Sequence, residues 1–151
     1  MESLDDFLSS DGTRLQTANT GFYDILCRKS DDEKTKKPFK YKGDLFPVAL
    51  IIGFLNDKRD DSKKDPGFVR FGTLSDHNKN IVKIFFHSIA KGEKWSDKWK
   101  DIKEIADGGI QIIEDEYNKT QDFDVYKFFA DVNKMWPDRA NKIIKNLQES
   151  S

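Results

Sequence analysis

Few residues in this chain have the types and spacing that a metal or nucleophilic site requires. Its 151 residues include one cysteine and two histidines, Cys27, His77 and His87, too few for the usual ligand set of a structural zinc site. The acidic run at residues 114–116 is best interpreted as a solvated helix face, because adjacent helix residues point in different directions. Glycine-rich phosphate loops, a nucleophile elbow and the Walker lysine motif are absent. We therefore predict no metal and no cofactor, and we lean against an enzyme.

Arg70 and His77 form one spacing that resembles a known catalytic signature. Six residues separate them, similar to the R-x(4–6)-H signature of HEPN ribonucleases, which are also all-helical. In that family both residues share a helix or its edge at a dimer interface, whereas here Gly72 and the candidate cap residues Ser75 and Asp76 intervene. A HEPN-like ribonuclease is kept as the second alternative function.

A basic segment from Arg28 to Lys42 is the best candidate for contacts with nucleic acid. It contains seven basic and three acidic residues, and Phe39 and Tyr41 lie among the lysines, where they can stack on bases. The predicted nucleic-acid contacts are Lys34, Lys36, Lys37, Lys40, Lys58 and Arg59. A solvated connector is the ordinary alternative for such a segment. Because 26 basic residues balance 27 acidic ones over the whole chain, any contact with DNA must be local.

Aromatic residues in predicted surface segments favour a protein partner instead. Trp95 and Trp99 lie four residues apart, and Phe68 and Phe71 lie in a long connection between residues 56 and 76. Aromatic side chains are favoured anchors of protein interfaces, and long connections are often functional. We predict that these four residues bind a partner, with burial in the core as the alternative. The sequence leaves a homodimer open.

The elements that must position these residues are helices. Apolar residues recur at helical spacing after Gly21, from Asp44 to about Leu55, after a cap at Ser75 or Asp76, and along an isoleucine-rich stripe at residues 102–117. Two further helices are predicted near residues 124–136 and 140–147. The sequence thus predicts a mainly α fold, a compact single-domain bundle of five or six helices with at most a small hairpin. Residues 1–16 are expected to form a flexible acidic tail or a short docking helix, and residues 17–151 one helical domain.

Glycines occur at two unusual places in this pattern. Gly108 and Gly109 interrupt the isoleucine-rich helix, and two glycines in a helix interior cost about 2 kcal/mol relative to alanine. A close approach of another helix backbone at Gly109 would recover that cost, and Gly53 also allows a close neighbour. The alternative is that Gly108 separates two short helices. We predict the continuous helix.

Two segments of the chain resemble a small family of bacterial proteins encoded beside DNA phosphorothioation (Dnd) systems. The resemblance covers roughly residues 38–117. It is carried by Pro38-Phe39-Lys40, Asp44-Leu45-Phe46, Ala49, Gly53-Phe54, Lys58-Arg59 and Glu104 to Gly109. The chain departs from the family where Ile105 replaces an aromatic-type position and Asp107 an amide.

The resemblance implies an accessory subunit of a bacterial anti-phage defence complex that bridges or positions a larger ATPase or nuclease. It brings no catalytic residues with it. The partner is then a larger protein of a defence operon, with DNA as a further candidate and no membrane. Because no leader and no run of 18 apolar residues occurs, we expect a cytoplasmic protein.

Overall fold

The elements of the structure follow the helical pattern of the sequence. The computed structural model describes residues 2–10, 13–27, 37–65, 67 and 69–121. Within these ranges the elements are α1 (Leu4–Ser9), β1 (Arg14–Leu15), α2 (Thr20–Leu26), α3 (Lys42–Leu55), β2 (Val69–Arg70), a 3-10 turn (Phe71–Thr73), α4 (Asp76–Ser88) and α5 (Trp95–Thr120). They confirm the predicted mainly α fold with one small two-stranded sheet. The two helices predicted after residue 122 lie outside the described residues, and no described helix is long and apolar enough to cross a membrane.

Helix α3 lies at the centre of the apolar core. Nine of its fourteen residues are buried, and they cover most sides of the helix, as its nearly continuous apolar sequence predicts. Helices α2, α4 and α5 all pack against it. The three neighbours are needed because any uncovered side of such a helix would leave apolar side chains in water.

The beginning of α3 differs from the prediction. Tyr41 is the cap residue, so Asp44 lies in the first turn, where its charge suits the positive end of the helix dipole. Pro47 has no N–H to donate to the carbonyl oxygen of Gly43. Instead, Asn78 of α4 donates its Nδ2 to that oxygen at 3.4 Å and to Asp44 Oδ1 at 2.9 Å. One amide thus compensates for the proline and ties α4 to the first turn of α3.

At the crossing of α3 and α5 the two backbones are in direct contact. A Cβ atom on Gly109 would collide with the carbonyl oxygen of Ala49 and lie 2.9 Å from the amide nitrogen of Gly53. A Cβ atom on Gly53 would collide with the carbonyl oxygen of Ile105 and lie 2.9 Å from the amide nitrogen of Gly109. The close approach predicted at both glycines is confirmed, and it explains why glycines stand inside two helices.

Helix α5 is one continuous helix of 26 residues. Gly108-Gly109 lie in its interior, so the continuous helix is confirmed and the division into two short helices is wrong. The helix begins at Trp95, several residues earlier than the isoleucine stripe suggests. The early beginning has a local cause, because the carboxylate of Asp97 in the first turn accepts the backbone N–H of Lys94 at 3.4 Å and its charge suits the positive end of the helix dipole. Trp95 and Trp99 therefore belong to the same helix as the stripe.

Of the two expectations for the N-terminal residues, a flexible tail or a short docking helix, the structure has the docking helix at Leu4–Ser9. Ser3 caps α1 by accepting a hydrogen bond from the backbone of Asp6 at 3.1 Å, and the apolar side of α1 buries Leu4 and Leu8. Leu15 of β1 is fully buried, and β1 pairs antiparallel with β2. The expectation of a tail was based on the acidic residues, but three apolar residues at helical spacing are enough to dock a short helix.

Replacing Gly109 by alanine should lower the free energy of unfolding by about 1–3 kcal/mol or more, because the added methyl group forces the two helices apart. Leucine at the same position should cost more. Gly21→Ala is the matched control, since a Cβ atom on Gly21 meets nothing within 4 Å, and alanine is the better helix former. Urea unfolding of the three variants checks this, and a Gly109→Ala chain as stable as Gly21→Ala would contradict the backbone contact.

Candidate functional site

Arg70 and His77 do not form the arrangement of the HEPN signature. Arg70 ends β2 and His77 lies in the first turn of α4, with the 3-10 turn between them, and both side chains are exposed. The two residues therefore do not share a helix. Among the described residues, no group of three or more side chains is placed to hold a metal ion, and the acidic residues 114–116 accordingly form no such group.

Cys27 has a structural environment. It lies at the end of α2, is 2% exposed, and forms a parallel β-bridge with Phe39. Burial raises the pKa of its thiol to about 12. Because the thiolate is the nucleophile and the metal ligand, a thiol held in its protonated form is suited to packing rather than to either role.

Arg59, predicted to contact nucleic acid, is exposed and pairs with a carboxylate of α5. Its Nε donates to Asp101 Oδ1 at 2.8 Å, and the same carboxylate accepts the backbone N–H of Lys91 at 2.9 Å. The hydrogen bond to Asp101 raises the pKa of Arg59. Asp101 thus holds the segment after α3 and the segment after α4 against α5. The backbone of Lys58 lies over Gly108, where a Cβ atom would collide with the Lys58 carbonyl oxygen.

Asp107 is a fully buried carboxylate that three polar groups surround. The hydroxyl of Thr17 donates to Oδ1, the backbone N–H of Ala18 donates to Oδ2 at 2.9 Å, and Lys64 Nζ lies 2.6 Å from Oδ2. Lys64 also donates to the carbonyl oxygen of Asp60 at 2.7 Å. Burying a charge is tolerated when it is paired and hydrogen-bonded, and these contacts supply both.

Two titratable groups beside this carboxylate respond to the same environment. Burial, followed by the negative charge of Asp107, raises the pKa of Tyr23 well above its usual value. Burial, followed by the positive charge of Lys64, lowers the pKa of Lys103, whose Nζ donates to Gln16 Oε1 at 2.5 Å. The cluster joins the segment between β1 and α2, the connection after α3, and α5, so it holds three parts of the chain together.

The basic segment is only partly described. Lys34 and Lys36 lie outside the described residues. Lys37 donates to the backbone carbonyl oxygen of Asp24 at 2.7 Å, and Lys42 forms an ion pair with the carboxylate of Asp24 at 2.8 Å. Lys40 is exposed, and its Nζ lies 5.3 Å from the centroid of the Tyr41 ring. Part of the positive charge of this segment is thus neutralised by α2.

Two of the four aromatic residues predicted to bind a partner lie in the core. Trp99 and Phe71 are buried, 5% and 3% exposed, and their rings are in edge contact at 6.5 Å. The predicted exposed pair of tryptophans is therefore wrong for Trp99, because the buried stripe of α5 extends back to it. Trp95 is partly buried against Phe86, and Phe68 lies outside the described residues.

A large cleft lies beside the first turns of α3 and α4. Its volume is about 930 Å³, within the usual range of ligand sites. Its wall contains Asp24 and Lys42, an apolar patch that includes Val69 and Leu74, and Tyr41. We call this feature the Tyr41 cleft. Tyr41 is 58% exposed, and among the described aromatic side chains it is the one that faces solvent.

The sequence did not reveal three features: the buried carboxylates Asp101 and Asp107, and the position of Tyr41 in the cleft. Asp101 and Asp107 carried a signal, since a carboxylate within an apolar helical stripe must find a partner. Their partners, residues 59 and 64, could not be identified because contacts more than 40 residues apart leave no local pattern. Tyr41 was considered only for base stacking, because the pattern does not show that it caps α3 at the mouth of a cleft.

Comparisons with protein-family models, curated proteins and solved structures gave no match for the chain.

Asp107→Ala should lower the free energy of unfolding by about 3–5 kcal/mol, because Lys64 would be left with an unpaired charge in a buried setting. Asp107→Asn, which keeps the shape, should cost less. Asp5→Ala is the control, because Asp5 pairs with Lys83 at 3.1 Å while its side chain is 81% exposed; its loss should cost at most about 1 kcal/mol. Denaturant unfolding compares the variants, and equal effects at residues 5 and 107 would show that the buried cluster does not stabilise the fold.

Proposed function

We propose that this chain is a non-catalytic accessory subunit that binds a larger protein through the Tyr41 cleft. The observation that carries the proposal is the exposed ring of Tyr41 at the mouth of a cleft of about 930 Å³. Tyrosine is enriched among the residues that dominate binding energy at interfaces. Its ring supplies apolar contact area, and its hydroxyl can bond a polar group of the partner.

The charges of the cleft favour a protein surface as the occupant. Among the described residues of the wall, Lys40 and Lys42 lie together with Asp24 and Asp44, so positive and negative side chains are equal in number there. A polyanion would meet both signs of charge there. A protein segment that offers both charged and apolar groups complements this wall better, as interfaces combine an apolar centre with a polar rim.

Three side chains that could take part in chemistry make structural contacts within the described residues. Cys27 is kept as a buried thiol, Arg59 is bound to Asp101, and Asp107 is bound to Lys64. These contacts give each group a structural role. They support a subunit that works by presenting a surface.

The defence setting of the proposal comes from the resemblance to proteins encoded beside DNA phosphorothioation systems. Several residues that carry this resemblance contact one another. Gly53 meets Gly109 at the helix crossing, Lys58 lies over Gly108, and the N–H of Lys58 donates to the carbonyl oxygen of Gly53 at 2.9 Å. The resembling segments therefore pack against one another in this chain. The partner we propose is an ATPase or nuclease of an anti-phage defence operon.

Tyr41→Ala should weaken binding to the partner by about 30-fold or more, because truncation of a central interface aromatic costs at least about 2 kcal/mol. Co-purification with each protein of the operon identifies the partner, and calorimetry then compares the variants. Ile84→Ala is the matched control, since Ile84 is 54% exposed on α4 and does not line the cleft.

Partner binding that survives Tyr41→Ala would refute the role of the cleft. The Arg70→Ala/His77→Ala double variant provides the test against catalysis. It should assemble and protect against phage like the wild type. If protection were lost while folding and assembly were preserved, the HEPN-like alternative would replace the accessory subunit.

A second candidate function is binding of single-stranded nucleic acid at the same surface. The observation in its favour is the exposed Lys40-Tyr41 pair, with Lys40 Nζ 5.3 Å from the ring centroid. A cation beside an aromatic face is a common arrangement for holding a backbone phosphate while a base stacks. Lys37 donates to the backbone of Asp24, which lines the same cleft. Arg59, also in the predicted set, is exposed and paired with Asp101.

If this second function holds, a labelled single-stranded oligonucleotide should bind at low salt, and the affinity should fall steeply as salt is added. Replacement by Gln at Lys34, Lys36, Lys37 and Lys40 should abolish binding in an anisotropy assay. Lys91→Gln/Lys100→Gln, at two exposed lysines outside the predicted surface, should bind nearly as well as the wild type. No binding by the wild type at low salt would remove the hypothesis.

A further inference from the structure

Two arginines lie directly opposite each other on the small sheet. Arg14 of β1 is the register partner of Arg70 of β2. The preceding pair is hydrogen-bonded, because the backbone N–H of Phe71 donates to the carbonyl oxygen of Thr13 at 3.2 Å. Hydrogen-bonded and non-hydrogen-bonded pairs alternate along an antiparallel ladder, and at the second kind the Cα atoms are only about 4.5 Å apart. The two arginine side chains therefore start close together on one face of the sheet.

This pairing of charges is unfavourable unless an anion compensates it. Like charges directly opposite on neighbouring strands destabilise the pairing of the strands. Within the described part of the chain, neither guanidinium has an ion pair or a side-chain hydrogen bond, although the sequence has 27 acidic residues. Arg59, by contrast, is paired with the carboxylate of Asp101. The Arg14–Arg70 pair thus carries two positive charges that no described side chain neutralises.

Neighbouring residues hold parts of both arginines in place. The stem of Arg14 lies against the backbone of Gly67, where a Cβ atom would collide with Cβ and Cδ of the arginine. The hydroxyl of Thr73 donates to the carbonyl oxygen of Arg70 at 2.8 Å and fixes the end of β2. Arg14 is half-buried and Arg70 is exposed, so a ligand can reach the pair from solvent. Fewer groups must become ordered on binding, which lowers its entropic cost.

The two charges of the pair select the chemistry of the ligand. An arginine fork matches two oxygens of a carboxylate or of a phosphate. A carboxylate has one charge, and in this chain one arginine, Arg59, suffices for the carboxylate of Asp101. A phosphate monoester carries a charge of about −1.5 to −2 at pH 7 and three acceptor oxygens. It can therefore accept hydrogen bonds from two forks and neutralise both positive charges.

We propose that Arg14 and Arg70 form a site for a phosphate monoester, and that this group is the terminal phosphate of a nucleic-acid strand. Neither arginine lines the Tyr41 cleft, and Arg70 is exposed. Small ligands are bound in cavities that cover most of their surface, so an open pair of arginines suits a phosphate carried by a larger molecule. Positive charge continues beside Arg14, because Gln16 accepts a hydrogen bond from Lys103 Nζ at 2.5 Å. A strand offers further phosphates to that cation.

The inference goes beyond the proposed function and does not depend on it. An internally labelled single-stranded oligonucleotide with phosphates at both ends is the probe, and the same strand with two hydroxyl ends is the control. Anisotropy with the full chain should show at least about 10-fold tighter binding of the phosphorylated strand, because its monoesters add charge-assisted hydrogen bonds. A strand held at the Lys40-Tyr41 pair contributes equally to both measurements and cancels in this ratio.

Substitutions at the two arginines locate the preference. Arg14→Gln and Arg70→Gln should each abolish it, and Arg14→Lys should reduce it, because lysine keeps the charge without the fork. Lys91→Gln, which removes an exposed charge from another connection, is the matched control and should retain the preference. His77→Ala should also retain it, which separates this site from the HEPN-like pair.

Equal binding of the two strands by the wild type, or a preference that survives Arg14→Gln, overturns the proposal. Tighter binding of a phosphoserine peptide or of inorganic phosphate than of the phosphorylated strand also overturns it. Melting temperatures without ligand give an independent measurement: both Gln variants should melt no lower than the wild type, because the repulsion is removed. Lower melting of both would show that the arginines stabilise the fold without a phosphate and would refute the site. None of these measurements involves Tyr41, so failure here is distinct from failure of the proposed function.

Discussion

The contact between the backbones of α3 and α5 sets the positions of the other described elements. At Gly53 and Gly109 each helix fills the space where the other would carry a side chain, so the two axes cannot separate or slide without opening the core. The apolar sides of α3 that α5 leaves uncovered are then closed by α2 and α4. The adjacent Gly108 makes a similar contact, because the backbone at Lys58, just after α3, lies directly on α5 there.

Charged residues stabilise the contact between α5 and the connection that follows α3. Two carboxylates of α5, Asp101 and Asp107, are buried, and each receives one basic side chain from the connection that follows α3. Gln111 of α5 adds a hydrogen bond to Asp60 at 2.5 Å. The connection after α3 has a hydrophilic sequence, yet its residues 59, 60 and 64 are bound to side chains of α5. The exposed groups at the Tyr41 cleft are therefore presented by a firmly held framework.

Local periodicity predicted α3, α4 and α5, because apolar residues at helical spacing must face a core. The cost of glycine inside a helix likewise predicted the close approach at Gly53 and Gly109. The same stripe, followed three residues back from Ile102, would have placed Trp99 in the core. What could not be predicted depends on tertiary contacts: the pairing of residues 59 and 101, the pairing of residues 64 and 107, and the place of Tyr41 in the wall of a cleft. The sequence thus predicted the candidate site only in part: it identified Lys40 and Tyr41 as binding residues but did not predict the cleft.

The glycine crossing also affects how the chain must fold during synthesis. Gly53 and Gly109 are 56 residues apart, so α3 leaves the ribosome well before the helix that covers it. Until then, the apolar side of α3 that α5 covers has no partner, and such exposed surface promotes association between nascent chains. Contacts between residues so distant in sequence also slow the search for the native arrangement. A small helical domain built in this way is expected to benefit from chaperones more than its size suggests.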